Sequence, residues 1–346
     1  MSTLFYVRAP VCERLGGDTI AAILAMRTFV TVLLLVVSMS AVGAPPVSTD
    51  EANRALLVGA ALGRLDLVAH ALAQRADPNV RDEHNGNTAL HMAAQLGDTE
   101  VLGYLLIHGA DPNIASSQDG RTPLILAARQ SGGLKVVVEL IASGADVNLA
   151  ARDGATALMG ASVRGHAHIT ATLLANQADA NAVSQDGRSA LHRAAMTGRQ
   201  EIVEQLLDAG ALVEKRARNG NTPLGTAVYF GQANVVERLI EAGADLNGWA
   251  RSGETPLMLA VRGNHPEILA TLLDRGANVN LQVKDNGKTA LLLAAERDLV
   301  DAARLLLGAG AEANHQAHDG GTPLAAAQAI GGMETAALLR KAGATN

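Results

Sequence analysis

Eight times between residues 88 and 324 a Ser or Thr is followed by Ala or Pro and then by Leu. The copies are Thr88-Ala89-Leu90-His91, Thr122-Pro123-Leu124, Thr156-Ala157-Leu158, Ser189-Ala190-Leu191-His192, Thr222-Pro223-Leu224, Thr255-Pro256-Leu257, Thr289-Ala290-Leu291 and Thr322-Pro323-Leu324. They recur at intervals of 34, 34, 33, 33, 33, 34 and 33 residues, and a degenerate copy stands 34 earlier at Arg54-Ala55-Leu56. About nine copies therefore occupy residues 50–346. A unit this short cannot bury an apolar face alone, so neighbouring copies must stack and share one continuous core. Two conventional domains, which the length alone would suggest, are excluded.

Within each copy the residues dictate two helices. The leading Ser or Thr can accept hydrogen bonds from the free N–H groups of a first helix, and Pro at the next position has a preset φ and no N–H to leave unpaired. Pairs such as Ala93-Ala94, Ala127-Ala128, Ala194-Ala195 and Ala294-Ala295 favour helix and let neighbours approach closely. Gly63, Gly97, Gly165, Gly198, Gly231 and Gly331 follow where a left-handed residue would close the helix, with Asn264 and, less suitably, Asp298 in their place. A second helix carries the larger side chains: Val101, Leu102, Leu105 and Leu106; Ile202, Val203, Leu206 and Leu207; Leu305, Leu306 and Leu307. Asp-Gly or Asn-Gly pairs such as Asp153-Gly154 and Asn219-Gly220 favour tight hairpin tips. Arg54 replaces the capping Thr at the start, and Gln328, Arg340 and Lys341 replace apolar positions at the finish, as terminal copies require.

Each copy also ends alike, from Gly109-Ala110-Asp111-Pro112-Asn113 and Gly144-Ala145-Asp146-Val147-Asn148 to Gly310-Ala311-Glu312-Ala313-Asn314. The whole pattern, D-G-x-T-P-L-x-x-A-A-x-x-G…L-L…G-A-D-x-N, resembles the ankyrin repeat over about 297 of 346 residues. The resemblance implies an all-α solenoid of stacked helix–turn–helix units with short β-hairpin tips. It also implies a concave groove that grips protein partners, lined by the tips and by the two residues before the helix-ending Gly.

The N-terminus is a different material. Residues 28–42 are almost wholly apolar, follow Met26-Arg27 and lead into Ala41-Val42-Gly43-Ala44-Pro45. A short basic start, an apolar stretch and small residues at a cleavage point are the marks of a secretory signal peptide, here cut after Gly43, with translation starting at Met1 or at Met26. The alternatives are an uncleaved inner-membrane anchor facing the periplasm, although residues 28–42 fall short of the roughly 20 a span needs, and a cytosolic protein. Residues 44–49 then form a short linker. Removing residues 1–43 takes away Arg8, Arg14 and Arg27 against Glu13 and Asp18, moving the formal charge from −6 to −7 and removing the one cysteine, Cys12. A thiol-free exported chain suits an oxidising bacterial periplasm.

No constellation for chemistry emerges. Asn286-Gly287-Lys288-Thr289 imitates the end of a phosphate-binding loop, but the first Gly of that motif would fall at Gln282. Ser162 lacks the second Gly of a nucleophile elbow and occupies an Ala site of the repeat. His91 and His192 share one repeat position and are expected to bond between neighbouring turns; His166 and His265 open the loop after the helix-ending turn. The His166/His168 and His315/His318 pairs have no Cys or carboxylate at ligand spacing. No cofactor, metal or catalytic residue is expected, and the acidic balance argues against nucleic acid.

Function is expected at the positions that the repeat leaves free. The residues preceding the helix-ending turn run Ala61/Leu62, Gln95/Leu96, Arg129/Gln130, Val163/Arg164, Met196/Thr197, Tyr229/Phe230, Arg262/Gly263, Glu296/Arg297 and Ala329/Ile330. Aromatics are only 2% of the chain, yet Tyr229, Phe230 and Trp249 fall close together, with Arg188, Arg218 and Arg251 on nearby tips. Aromatic anchors among arginines are the composition of a binding hot spot. The expected partner-binding set is Leu96, Arg129, Arg164, Arg188, Met196, Arg218, Tyr229, Phe230, Trp249, Arg251 and Arg262. The competing expectation is that Tyr229 and Phe230 only fill gaps between helices. The chain is thus expected to be a monomeric, non-catalytic scaffold for a protein partner in the periplasm, or alternatively a secreted effector acting on host proteins; an enzyme with a groove site is a weaker third reading.

Overall fold

The computed structural model of the chain describes residues 47–345, so the expected signal segment, its cleavage point, Met26 and Cys12 lie outside the described residues. Those described hold eighteen helices in consecutive pairs. The chain divides into two compact units, the first ending at Gln118 and the second starting at Asp119.

The first unit contains α1 (Thr49–Ala61), α2 (Leu65–Ala73), α3 (Ala89–Leu96) and α4 (Thr99–Ile107). Helix α1 starts earlier than the repeat pattern suggests. Ser48 caps it, accepting from the Glu51 amide, and Arg54 lies inside the helix rather than at its cap. The entering copy has lost its Thr because a helix extended by a turn no longer begins there.

The second unit continues with α5 (Pro123–Ala128), α6 (Leu134–Ala142), α7 (Ala157–Arg164), α8 (Ala167–Ala175), α9 (Ala190–Met196), α10 (Gln200–Asp208), α11 (Pro223–Tyr229) and α12 (Ala233–Glu241). Then come α13 (Pro256–Gly263), α14 (Pro266–Asp274), α15 (Ala290–Ala295), α16 (Val300–Gly308), α17 (Pro323–Ala329) and α18 (Met333–Lys341). Within this unit each first helix packs on the next, from α5 on α7 to α15 on α17, and each second helix does likewise from α6 on α8 to α16 on α18.

The alanine pairs make the first layer possible. Ala127, Ala128, Ala194, Ala195, Ala294 and Ala295 are all fully buried, as are Ile202, Val203 and Leu206 of the second layer. In α16 only Leu306 of the expected leucine trio is buried, beside Ala302 and Ala303; Leu305 and Leu307 are half-buried because they point off the inner face. Thr122, Thr156, Thr222, Thr255, Thr289 and Thr322 cap their helices as expected. Asn264 and Asp298 adopt the left-handed backbone of the glycines they replace.

The tips are turns rather than strands; the only bridges among the described residues are Ala150 with Thr156 and Gln282 with Thr289. In one tip the Gly187 N–H donates to Ser184 at 2.7 Å and the Ser184 N–H to Arg188 at 3.0 Å. This three-residue loop needs a left-handed closing residue, and Gly187 supplies it at φ +74°. Successive tips are then tied together: Arg152 donates to Asp119, Gln185 to Asp153, Arg218 to Asp186 and Arg251 to Asn219, all within 2.7–3.0 Å. One bond per tip is too few to register a strand.

The terminal Asn of several copies reaches forward. Asn148 donates to the Gln177 carbonyl at 3.1 Å and accepts from the Asp179 amide at 2.8 Å. Asn181 repeats the pair with Gly210 and Leu212, and Asn280 with Gly310 and Glu312. These carboxamides satisfy loop backbone groups of the next copy, which no helix or strand would pair.

Candidate partner-binding surface

The free positions of the second unit form an edge where the first helices end. Neighbouring copies are joined along it by side chains from the loop before each second helix. His166 Nε2 donates to the Arg129 carbonyl at 3.3 Å, Gln232 Nε2 to Met196 at 3.4 Å and His265 Nε2 to Tyr229 at 3.4 Å. Arg297 donates likewise to the Arg262 carbonyl. This seam holds residues 129, 196, 229 and 262 in a fixed series, one per copy, and the sequence pattern did not reveal it. Its one signal was a polar residue recurring just after the helix-ending Gly or Asn.

Tyr229 ends α11 and Phe230 caps it, and both side chains stand in solvent at 45% and 43% exposure. Their rings meet edge to face with centroids 5.2 Å apart, and the Arg262 guanidinium lies 6.0 Å from the Tyr229 ring. A side chain that only filled a gap between helices would be buried, and neither ring is. Met196 next to them in the series is half-buried.

The arginines separate into two groups. Arg262 is paired with Glu254, a residue that sequence reasoning passed over and that stands directly before the capping Thr255. Arg188 is paired with Asp186 at 3.3 Å, and Arg193 reaches the same carboxylate at 3.1 Å. Partial burial works against ionisation of Asp186, but the Ser184 hydroxyl, the Arg188 amide and the two guanidinium groups hold it below the ordinary carboxylate range. By contrast, neither Arg129 nor Arg164 has an ion pair or side-chain hydrogen bond among the described residues. Arg129 is half-buried and Arg164 exposed. Arg218 and Arg251 are exposed on the tips, where their backbone amides carry the tip-to-tip bonds. Trp249 is half-buried, with Lys284 Nζ 5.6 Å from its ring and its carbonyl bound by Arg216. Leu96, at the end of α3 in the first unit, is half-buried.

The imitations of chemistry dissolve into packing. Lys288 pairs with Glu296, and the buried Ser162 hydroxyl donates to Leu158 at 2.7 Å. His192 is fully buried: its Nδ1 accepts from the Ser189 amide at 3.3 Å and its Nε2 donates to Asn221 in the next copy at 3.1 Å. Burial pushes its pKa from the ordinary 6.5 down to about 4, so the ring is neutral at physiological pH. His315 and His318 bond to the Gly287 and Asp285 carbonyls. Among the described residues no group of three or more His, Cys, Asp or Glu could hold a metal ion.

Family models decide the relationship. One described as Ankyrin repeats (3 copies) matches residues 56–151, 127–217 and 211–283, and one described as Ankyrin repeat matches residues 286–318. The chain belongs to the ankyrin repeat family. Ankyrin repeats make a protein–protein interaction scaffold and are generally non-catalytic. None of the curated proteins compared with the chain matches it. Among the described residues no ankyrin helix is long and apolar enough to cross a membrane.

Proposed function

We propose that the chain is an exported, monomeric scaffold of nine ankyrin repeats that holds a protein partner against the edge where the first helices of its second unit end. Tyr229 and Phe230 are its central anchors, Met196 extends the apolar patch, and Arg129, Arg164, Arg188, Arg218, Trp249, Arg251 and Arg262 surround it. Leu96 is a contact of the first unit in its own right. The observation that carries this reading is the exposure of two adjacent large aromatic side chains whose rings meet edge to face beside the Arg262 guanidinium. Rigid aromatics bury large area at low entropic cost, which concentrates binding energy.

The test is affinity capture with the chain from residue 44 onward beside its Tyr229→Ala/Phe230→Ala variant. Partners retained by the first and lost by the second are the expected result; equal recovery refutes the assignment. The export reading predicts a tagged protein in the periplasmic fraction, shortened at Gly43. A full-length cytosolic product rejects it.

A further inference from the structure

Arg129 is unusual among the groups on this edge. Its stem lies over the next first helix, so close that a Cβ on Gly160 would stand 2.9 Å from its Cγ. Burial first, and then the charges of Arg121, Arg164 and Arg193, depress its affinity for a proton, with Asp153 the one carboxylate opposing them. Of these neighbours Arg121 holds Asp119 at 3.2 Å and Arg193 holds Asp186 at 3.1 Å, whereas Arg164 is as unpaired as Arg129. A partly desolvated guanidinium beside like charges is unfavourable unless an anion joins it. Elsewhere on the edge that need is met internally, by Glu254 at Arg262 and Glu296 at Lys288. Here it is not. The chain as a whole is acidic at −6, so this basic spot runs against the general field.

We propose that Arg129 and Arg164 receive the carboxylates of an acidic, extended segment of the protein partner whose apolar end docks on Met196, Tyr229 and Phe230. The inference rests on the binding-edge reading above and adds the partner's chemistry to it. The geometry also sets a spacing. From α5 to α11 is three helix-to-helix steps, about 24–30 Å at 8–10 Å each. An extended strand rises about 3.3 Å per residue, so the first carboxylate stands about seven to nine residues from the apolar anchor. Arg164 is one step nearer, which places a second carboxylate about five or six residues from it. A phosphate backbone fits less well, because Asp153 acts on Arg129 and Asp186 holds the neighbouring Arg188 and Arg193, so an unbroken row of negative charge along the edge would be repelled.

The experiment is fluorescence anisotropy of the purified protein with a labelled synthetic peptide carrying glutamates about seven residues from a Leu-Phe pair. Controls are the same peptide with Gln for Glu, and a labelled single-stranded oligonucleotide. The expected result is binding by the acidic peptide that weakens about tenfold or more in Arg129→Gln/Arg164→Gln, weakens with added salt, and is absent with the Gln peptide. Arg164→Glu, at an exposed site where folding is not in question, shows the same direction. If the Gln peptide binds equally and only Tyr229→Ala/Phe230→Ala abolishes binding, the acidic-partner inference fails and the binding edge stands. If neither set of substitutions matters, or the acidic peptide does not bind, both fail. Preference for the oligonucleotide overturns the choice of a protein ligand.

Discussion

Acidification should weaken the repeat array through His192 in particular. Its ring is buried, caps α9 with Nδ1 as acceptor, and spans to the next copy through Nε2. Protonation puts a hydrogen on Nδ1, where the Ser189 amide already points, and places a charge in an apolar interior. The folded-state pKa of about 4 lies below the ordinary 6.5. The folded form therefore binds fewer protons between those values, and the stabilisation, complete above pH 6.5, is lost as pH falls toward 4. Those two values make the loss about 2 kcal/mol at pH 5 and about 3 kcal/mol at pH 4. Urea denaturation at pH 8, 6 and 5 measures it. His192→Gln lowers stability at every pH by losing the packing of the buried ring and its bond to Asn221, but its pH slope should be shallower than the parent's by that amount, since the other histidines contribute equally to both. The imidazole Cε1–H resonance of His192 gives a direct reading. A ring that titrates near 6.5 in the folded protein, or identical slopes in the two proteins, refutes the argument.

Asn148→Ala removes two bonds to the next copy, and at about 1 kcal/mol each it should lower the urea-derived stability by about 2 kcal/mol. Gly220→Ala forces a Cβ to within 2.3 Å of the Arg251 amide nitrogen at a backbone φ of +80°; a loss of at least about 1–3 kcal/mol should show as a lower melting temperature, and an unchanged melt contradicts the tip geometry. Thr289→Ala deletes the cap of α15 and should cost about 1 kcal/mol by the same measurement. Tyr229→Ala/Phe230→Ala should leave stability within about 1 kcal/mol of the parent, because both rings are exposed; a larger loss would mean the rings support the fold.

The local grammar of this chain is written in residues a few positions apart, and for that reason it was open to reading. A Thr caps the amide three residues on, a Gly closes its own helix, and an Asp-Gly turns within one loop; each works inside a single copy, and the repetition multiplied the signal. Asn264 and even Asp298, the weaker substitute for Gly, took the conformation their position demanded. The exposed Tyr229 and Phe230 were legible for the same reason: they stand where the repeat imposes no residue type.

Contacts between copies were not legible in that way. Asn148 to Asp179 and His166 to Arg129 join residues 31 and 37 apart, and whether such groups meet depends on the register of one copy on the next; the His192 bond to Asn221, 29 residues on, was foreshadowed only by the repeat position that His91 and His192 share. The composition of the edge named its arginines alike, yet the fold pairs Arg188 with Asp186 and Arg262 with Glu254 and leaves Arg129 and Arg164 with no ion pair among the described residues. Sequence alone determined that short two-helix units would stack, because no single copy has enough apolar surface to stand by itself. Tertiary structure alone decided which charges remain for a partner, since Coulombic pairing falls off over a few ångströms and only the placement of side chains in the folded chain sets those distances.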